Sequence, residues 1–276
     1  AAALGKGARS AAVAFGPKPA DLTTAKAKAL GVTTLVSSVT TDLGDSSSNR
    51  IHNVELMAQI LDGHLVLPHT RFSFNDVVGP RDASRGFLEG QAIVNGLLVP
   101  SIGGGVCQVA TTVFGAAFYA GLPVSERTNH SFYISHYDLG MDATVSWGGP
   151  DLIFENDTDY GILVRTSAND STMTVNFYST PHGISVDRSV SGKSNFSNPQ
   201  PRYVLDPSLP PTAINQTTSG EGGFDVTVSR TVKQHGRVIR QDSFTSHYVP
   251  EDIIYRVGAK ARVPAGATIE PPPTGG

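Results

Sequence analysis

One cysteine, Cys107, stands alone in the 276 residues of this chain. An internal disulfide framework is therefore excluded, and any thiol chemistry must pass through that sulfur. Charge is sparse as well. Only 16% of residues are Asp, Glu, Lys or Arg, and 21 basic against 24 acidic side chains leave a net −3. No basic stripe is present, so nucleic acid is not an expected partner. No apolar run approaches the roughly 20 residues of a membrane helix, so no transmembrane segment is expected. The opening AAALGKGARSAAVAFG lacks the apolar core of an intact signal peptide, so any signal or anchor segment is expected outside this chain.

What is abundant is punctuation: 29 Gly and 18 Pro in a chain that is 39% hydrophobic. Frequent turns in a folded composition predict many short strands. Asp21–Leu30 reads as a short helix, with Asp21 as N-cap and Gly31 as its C′ glycine. The β-branched stretch 32–41 reads as a strand. Ile51, Val54, Met57, Ala58 and Leu61 fall at helical spacing, which predicts an amphipathic helix over 50–62. IVNGLLV reads as a hairpin with a type I′ turn at Asn95-Gly96. A helix is predicted near 107–120, then strands over 124–127, 130–137, 143–147, 152–156, 160–166 and 173–178.

These elements predict an α+β fold: an antiparallel sheet packed against one buried helix and one amphipathic helix, plus a small all-β C-terminal module. The expected divisions are a lead-in over 1–31, an α+β domain over 32–188, a polar Pro-rich linker over 189–200, the β module over 201–262 and a flexible tail over 263–276.

SIGGGVCQVATTVFGAAFYAG, residues 101–121, carries the candidate chemistry. Three glycines feed a nearly all-apolar helix with a thiol in its first turn. A helix N-terminus lowers a thiol pKa and holds a developing anion. In that reading Cys107 is a nucleophile, and backbone N–H groups around Gly105, Val106 and Gln108 form an oxyanion hole. The competing reading is a small buried hydrophobe at a tight packing point. A thiol nucleophile needs a base and a group to orient it. His130 or His136 supplies the first and Asp142 the second. If His130 and Asp142 lie on neighbouring strands, the order Cys, His, Asp resembles the layout of transglutaminases and papain-like enzymes. Cys107 with both histidines also makes three ligands of zinc type, but no CxxC, HxxxH or HExxH spacing accompanies them, so neither metal nor cofactor is expected.

SSNRIHNVELMAQILDG, RFSFNDVVGPR, GGGVCQV, ERTNHS and DATVSWGGPDLIFEN occur in that order. Together they resemble the VanW family of bacterial envelope-associated proteins. GEGGFDVTVSRTV, Gly236 and Val257-Gly258 are similar to the G-five domain, an extracellular β module associated with N-acetylglucosamine polymers. Thr212 stands where that module often has an early glycine. The two resemblances imply an exported cell-envelope protein with peptidoglycan, stem peptide or glycan strand, as partner. His130 lies in the matching ERTNHS segment and is preferred to His136 as base. Arg50, Asn53, Asn75 and Arg81, also in matching segments, and Trp147 are candidates to line a substrate groove; equally, the four polar residues hold the irregular loop 75–90 together. Tyr203, Phe224, Phe244, Tyr248 and Tyr255 offer faces for stacking sugars, or form the core of the small module. The function expected is acyl transfer or hydrolysis on peptidoglycan through Cys107, His130 and Asp142; the alternative is a non-catalytic glycan-binding or scaffold protein.

Overall fold

The computed structural model describes residues 23–94 and 97–272. Helix α1 (Thr24–Ala29) is capped by the Thr23 hydroxyl, which accepts from the Lys26 amide. Asp21, the expected cap, lies outside the described residues. Helix α2 (Ser48–Leu61) starts where Ser47 accepts from the Arg50 amide, and it buries Val54, Met57, Ala58 and Leu61 along one face. Helix α3 (Phe74–Val78) is one short turn, capped by Ser73. Helix α4 (Val106–Tyr119) is buried from Gln108 to Phe118. Gly115 lets it approach the first strand, since a Cβ there would sit 3.1 Å from a Val39 methyl.

The main sheet is antiparallel, in the order Thr34–Asp42, Thr172–Ser179, Ile162–Ala168, Leu65–Val66. Met173, Val175 and Phe177 alternate inward along the second of these strands, as a sheet with one covered face requires. Helix α4 packs on the first two strands, and α2 packs on the third and on α4. Each fully enclosed side chain such as Phe114, Phe177 or Met57 contributes about 2 kcal/mol of burial.

A smaller sheet joins Thr70–Ser73, Ile153–Asn156 and Val124–Glu126. Glu89–Val94 pairs with Leu97–Ile102, and Val94 opposes Leu97. The turn expected at Asn95-Gly96 lies outside the described residues.

The strands expected over 130–137 and 143–147 are not formed. Between Val124–Glu126 and Ile153–Asn156 the chain makes only the Thr128–Thr144 bridge. Its backbone is held by side chains instead of a ladder, as described below. The layout of His and Asp on successive strands therefore does not apply.

The C-terminal half forms two further sheets. Gly223–Gln234 and Arg237–Tyr248 make a long hairpin around His235 and Gly236, both at positive φ. Ile184–Val190 and Ser194–Ser197 both pair with Gly223–Gln234, so half of the stretch expected as a linker, 189–190 and 194–197, is strand. Ile253–Val257 sits between Ile214–Gln216 and Pro201–Leu205 in the second sheet. Ile269–Glu270, expected in a flexible tail, adds to Pro201–Leu205, with Glu270 paired to Arg202 at 2.6 Å.

The long hairpin does not stand apart from the rest of the chain. Val228 joins the core formed by α2 and α4, and Phe244 packs against Phe114 and Phe118. A Cβ on Gly140 would lie 2.6 Å from a Val228 methyl. Arg230 is 1% exposed and donates to the carbonyls of Phe118 at 2.7 Å and Leu122 at 2.5 Å. A guanidinium there satisfies the orphan carbonyls at the C-terminal end of α4 and offsets the negative end of its dipole.

Candidate active site

The glycine run is a packing device before it is anything else. A Cβ on Gly104 would fall 2.7 Å from the Gln91 amide nitrogen and from Gly90 Cα, so only glycine fits under the hairpin. Asn53, fully buried, donates to the carbonyls of Gly104 at 3.0 Å and Leu88 at 2.9 Å and accepts from the Leu88 amide. Gly105 turns the chain into α4 at φ 104°, in the left-handed region. Cys107 follows as the second helical residue, partly exposed, its thiol directed at the Val145 carbonyl 3.6 Å away.

The amides of Val106 and Gln108 are already engaged, with the carbonyls of Gly103 at 3.3 Å and Gly105 at 3.1 Å. The expected oxyanion donors Val106 and Gln108 are thus corrected. The amides of Gly105 and Cys107 make no hydrogen bond among the described residues. The Gln108 side chain is likewise committed: it donates to Thr41 Oγ1 and the Asp42 carbonyl and accepts from Arg50.

His130 and the Cys107 thiol are electrostatically coupled, each shifting the other's ionisation. The His130 Nδ1–H donates to Asp142 Oδ2 at 2.7 Å, which leaves Nε2 for the sulfur. Asp142 also accepts from the His130 amide at 2.6 Å, from Arg127 Nη2 at 3.0 Å and from the Tyr248 hydroxyl at 2.5 Å. Four donors on two oxygens satisfy a buried carboxylate and keep it ionised. These bonds also explain the missing strands, because the 127–142 backbone is pinned to side chains and to the hairpin. Val249 donates its amide to the Ser131 carbonyl at 2.7 Å, and Asn129 reaches the His247 carbonyl at 2.9 Å.

The electrostatics follow from this geometry. Burial pushes the Cys107 thiol up, but His130, with the Arg81 charge behind it, holds it below its ordinary value. Burial works against the His130 cation, yet Asp142 and Cys107 together push it up to about 9. Asp142 is held below the usual carboxylate range, its burial outweighed by His130 and Arg127. These shifts favour ionisation of the thiol and protonation of the imidazole over an ionised carboxylate.

His136 is close by, with its ring 4.2 Å from that of Tyr137, but it forms no hydrogen bond to Cys107 or Asp142 among the described residues. Tyr137 in turn stacks on His130 at 5.9 Å. Of the candidate groove residues, Asn53 is enclosed and its amide is used up within the protein. Asn75 is 9% exposed and fastens the 146–150 turn through the carbonyls of Ser146 and Pro150. Arg50 spans Ser46 and Gln108, inside the fold. Arg81 differs. Its Nη1 is used by Asn75 Oδ1 at 2.7 Å and the Gly79 carbonyl at 3.0 Å, while its charge acts on Cys107. Trp147, at the tip of the Asn75-held turn, is 57% exposed.

Residues 49–178 match the family model described as VanW like protein. Over this stretch the chain is similar to the VanW family. Cys107, His130 and Asp142 all fall within the VanW domain, and Tyr248 does not. The VanW stretch is 41% identical over 140 residues to the uncharacterized protein YoaR of Bacillus subtilis, covering 51% of this chain and 46% of YoaR. It is 34% identical over 127 residues to the vancomycin B-type resistance protein VanW of Enterococcus faecalis, covering 44% of this chain and 46% of that protein. The match thus spans about half the length of each relative. Among solved structures, the IgA1 protease G5 domain matches at TM-score 0.18 and 17% identity, over 28% of this chain and 90% of that one. A second G5 domain, HP0197-G5, matches at TM-score 0.15 and 17% identity, over 27% of this chain and 97% of that one. Among the described residues, no helix is long and apolar enough to cross a membrane.

Arg127 and Tyr248 are the two groups at the site that the sequence reading missed. Arg127 carried a usable signal, being the Arg of ERTNHS three residues before His130. Tyr248 carried none, since it lies 106 residues beyond the carboxylate it touches.

Proposed function

We propose that this protein is an exported cell-envelope thiol enzyme that acts on peptidoglycan peptides by acyl transfer or hydrolysis. The observation that carries the reading is the relay itself: a partly exposed thiol at a helix N-terminus, electrostatically coupled to a buried histidine whose Nδ1 donates to an ionised carboxylate at 2.7 Å. A thiol serving only as packing would need none of these partners.

In the proposed reaction the Cys107 thiolate attacks a peptide carbonyl carbon, forming a C–S bond. The oxyanion is held by the free amides of Gly105 and Cys107 at the positive end of α4. The tetrahedral intermediate collapses as His130 Nε2 gives its proton to the leaving amine and the C–N bond breaks. An acceptor amine, or water, then gives a proton back to His130 and attacks the thioester, and the thiolate leaves. Asp142 holds the ring in one orientation throughout. Arg81, beside the thiol, suits a carboxylate on the stem peptide, and the exposed Trp147 suits an apolar wall of the groove. The side chains account for every proton and electron pair.

The C-terminal module is the proposed glycan tether. Tyr203, Phe224 and Tyr248 are buried there, so they serve its core, as does Tyr255 stacked on Tyr203 at 5.1 Å. Phe196, 72% exposed, is the aromatic face left open to a sugar.

Turnover of purified muropeptides by Cys107→Ser tests the enzyme reading. The expected result is loss of turnover with an unchanged melting temperature. Undiminished turnover, or none in the parent protein across peptidoglycan substrates, favours the scaffold alternative.

A further inference from the structure

The C-terminal hairpin reaches the proposed relay at a single side chain. Tyr248 is the last residue of Arg237–Tyr248, is 4% exposed, and donates its hydroxyl to Asp142 Oδ1 at 2.5 Å. Its ring is fixed by Phe224 at 5.3 Å and Tyr133 at 5.4 Å. Two residues earlier, Ser246 is fully buried and accepts from Arg127 Nη1 at 2.9 Å, while Arg127 Nη2 donates to the same Oδ1 that Tyr248 holds. On the other strand of the hairpin, Arg230 holds the far end of the helix that presents the thiol.

The hairpin therefore grips the relay from both sides, the carboxylate through Tyr248, with Ser246 holding Arg127 behind it, and the nucleophile's helix through Arg230. A tether that merely followed the domain would touch neither. Oδ2 of Asp142 serves His130 alone, and Oδ1 serves the hairpin and Arg127 alone. That division leaves one orientation for the carboxylate plane.

We infer that Tyr248 is a positioning residue for the thiol site, so that the C-terminal hairpin completes a relay whose other members all lie in the VanW domain. This rests on the proposed relay of Cys107, His130 and Asp142. The Tyr248 hydroxyl acts through Asp142: it fixes the carboxylate that holds His130, and His130 holds the thiolate. The other ionisable groups facing the relay are Arg127 and Tyr133 on Asp142, Arg81 and Tyr137 on Cys107, and His136 with Arg50 beyond Tyr137.

The test is the rate of Cys107 alkylation by iodoacetamide against pH in the intact chain, for the parent, Tyr248→Phe, Asp142→Asn and the double variant. Tyr248→Phe keeps the ring packing and removes one hydroxyl, and thermal unfolding checks that each variant is folded. The expected result is a rise of about one pH unit in the alkylation midpoint for Tyr248→Phe, a larger rise for Asp142→Asn, and no further rise in the double variant. A Tyr248→Phe midpoint equal to the parent's, beside a shifted Asp142→Asn, overturns the inference. Additive shifts in the double variant overturn it too, because Tyr248 would then act by another route. The readout needs no substrate. A coupled thiol without muropeptide turnover leaves this inference standing and sinks the enzymatic reading; an Asp142→Asn variant without effect sinks the relay beneath both.

Discussion

Arg127 holds Asp142 twice, once by the side chain and once by the main chain. Nη2 donates to Oδ1 at 3.0 Å and Nε donates to the Asp142 carbonyl at 2.6 Å. Both side chains are nearly sealed, at 3% and 4% exposure. Desolvating such a pair is costly, and removing one partner leaves the other charge buried without compensation. Arg127→Met should therefore destabilise the fold by about 3 kcal/mol. Arg127→Lys should recover little of this, because an ammonium cannot span a carboxylate, a carbonyl and the Ser246 hydroxyl with a planar fork. Urea unfolding midpoints of the two variants against the parent check both outcomes.

The ionisation of the relay predicts how activity follows pH. In the proposed reaction turnover needs Cys107 ionised and His130 protonated, so kcat/KM should trace a bell. Its alkaline limb lies near pH 9, where His130 loses its proton, and its acid limb lies below the ordinary thiol value. Both limbs belong to the coupled pair. In Asp142→Asn the histidine loses the partner that raises it, and the alkaline limb should move to lower pH.

Stability should follow the same groups with defined signs. His130 is raised, so its contribution is complete below 6.5 and is lost as pH climbs through about 9. Asp142 is lowered, so its contribution is present above 3.8 and is lost as pH falls through its lower native value. Asp142→Asn should flatten the acid side of a plot of unfolding free energy against pH. A slope there as steep as the parent's would assign that acid sensitivity to other carboxylates.

Gly104 tests whether the glycine run is needed for its lack of a side chain. A Cβ would meet backbone atoms of Gly90 and Gln91 at 2.7 Å, and neither can yield as a flexible side chain does. Gly104→Ala should cost about 2 kcal/mol and displace the start of α4. Calorimetry measures the first effect, and slower alkylation of Cys107 at neutral pH reports the second. Gly63→Ala, at a helix end with open space around its missing Cβ but φ 83°, should cost less.

Much of the fold was legible because local rules and tertiary structure agree over long stretches. Val54, Met57, Ala58 and Leu61 repeat at helical spacing and do face the core, and the small and apolar residues after Gly105 do form one buried helix. Residues 127–150 show where legibility ends. Their alternation looks like strand, but Arg127, Asn129 and Asp142 satisfy the backbone through side chains, and no propensity scale registers that competition. The polar composition of 189–200 reads as linker because its strand lies at an exposed sheet position, where Ser194, Asn195 and Phe196 face solvent. At the site, a thiol after a glycine turn, a histidine and a carboxylate can be picked out by residue type within 36 positions. The Tyr248 contact cannot, because it depends on how a distant hairpin packs.

If Cys107 is the proposed nucleophile, intact mass spectrometry of the protein quenched in acid during turnover of a peptidoglycan peptide captures a covalent acyl intermediate on it. The expected result is an added mass equal to the acyl part of the stem peptide, mapped by proteolysis to Cys107 and absent in Cys107→Ser. Turnover proceeding with no adduct on Cys107, and continuing in Cys107→Ser, would contradict it.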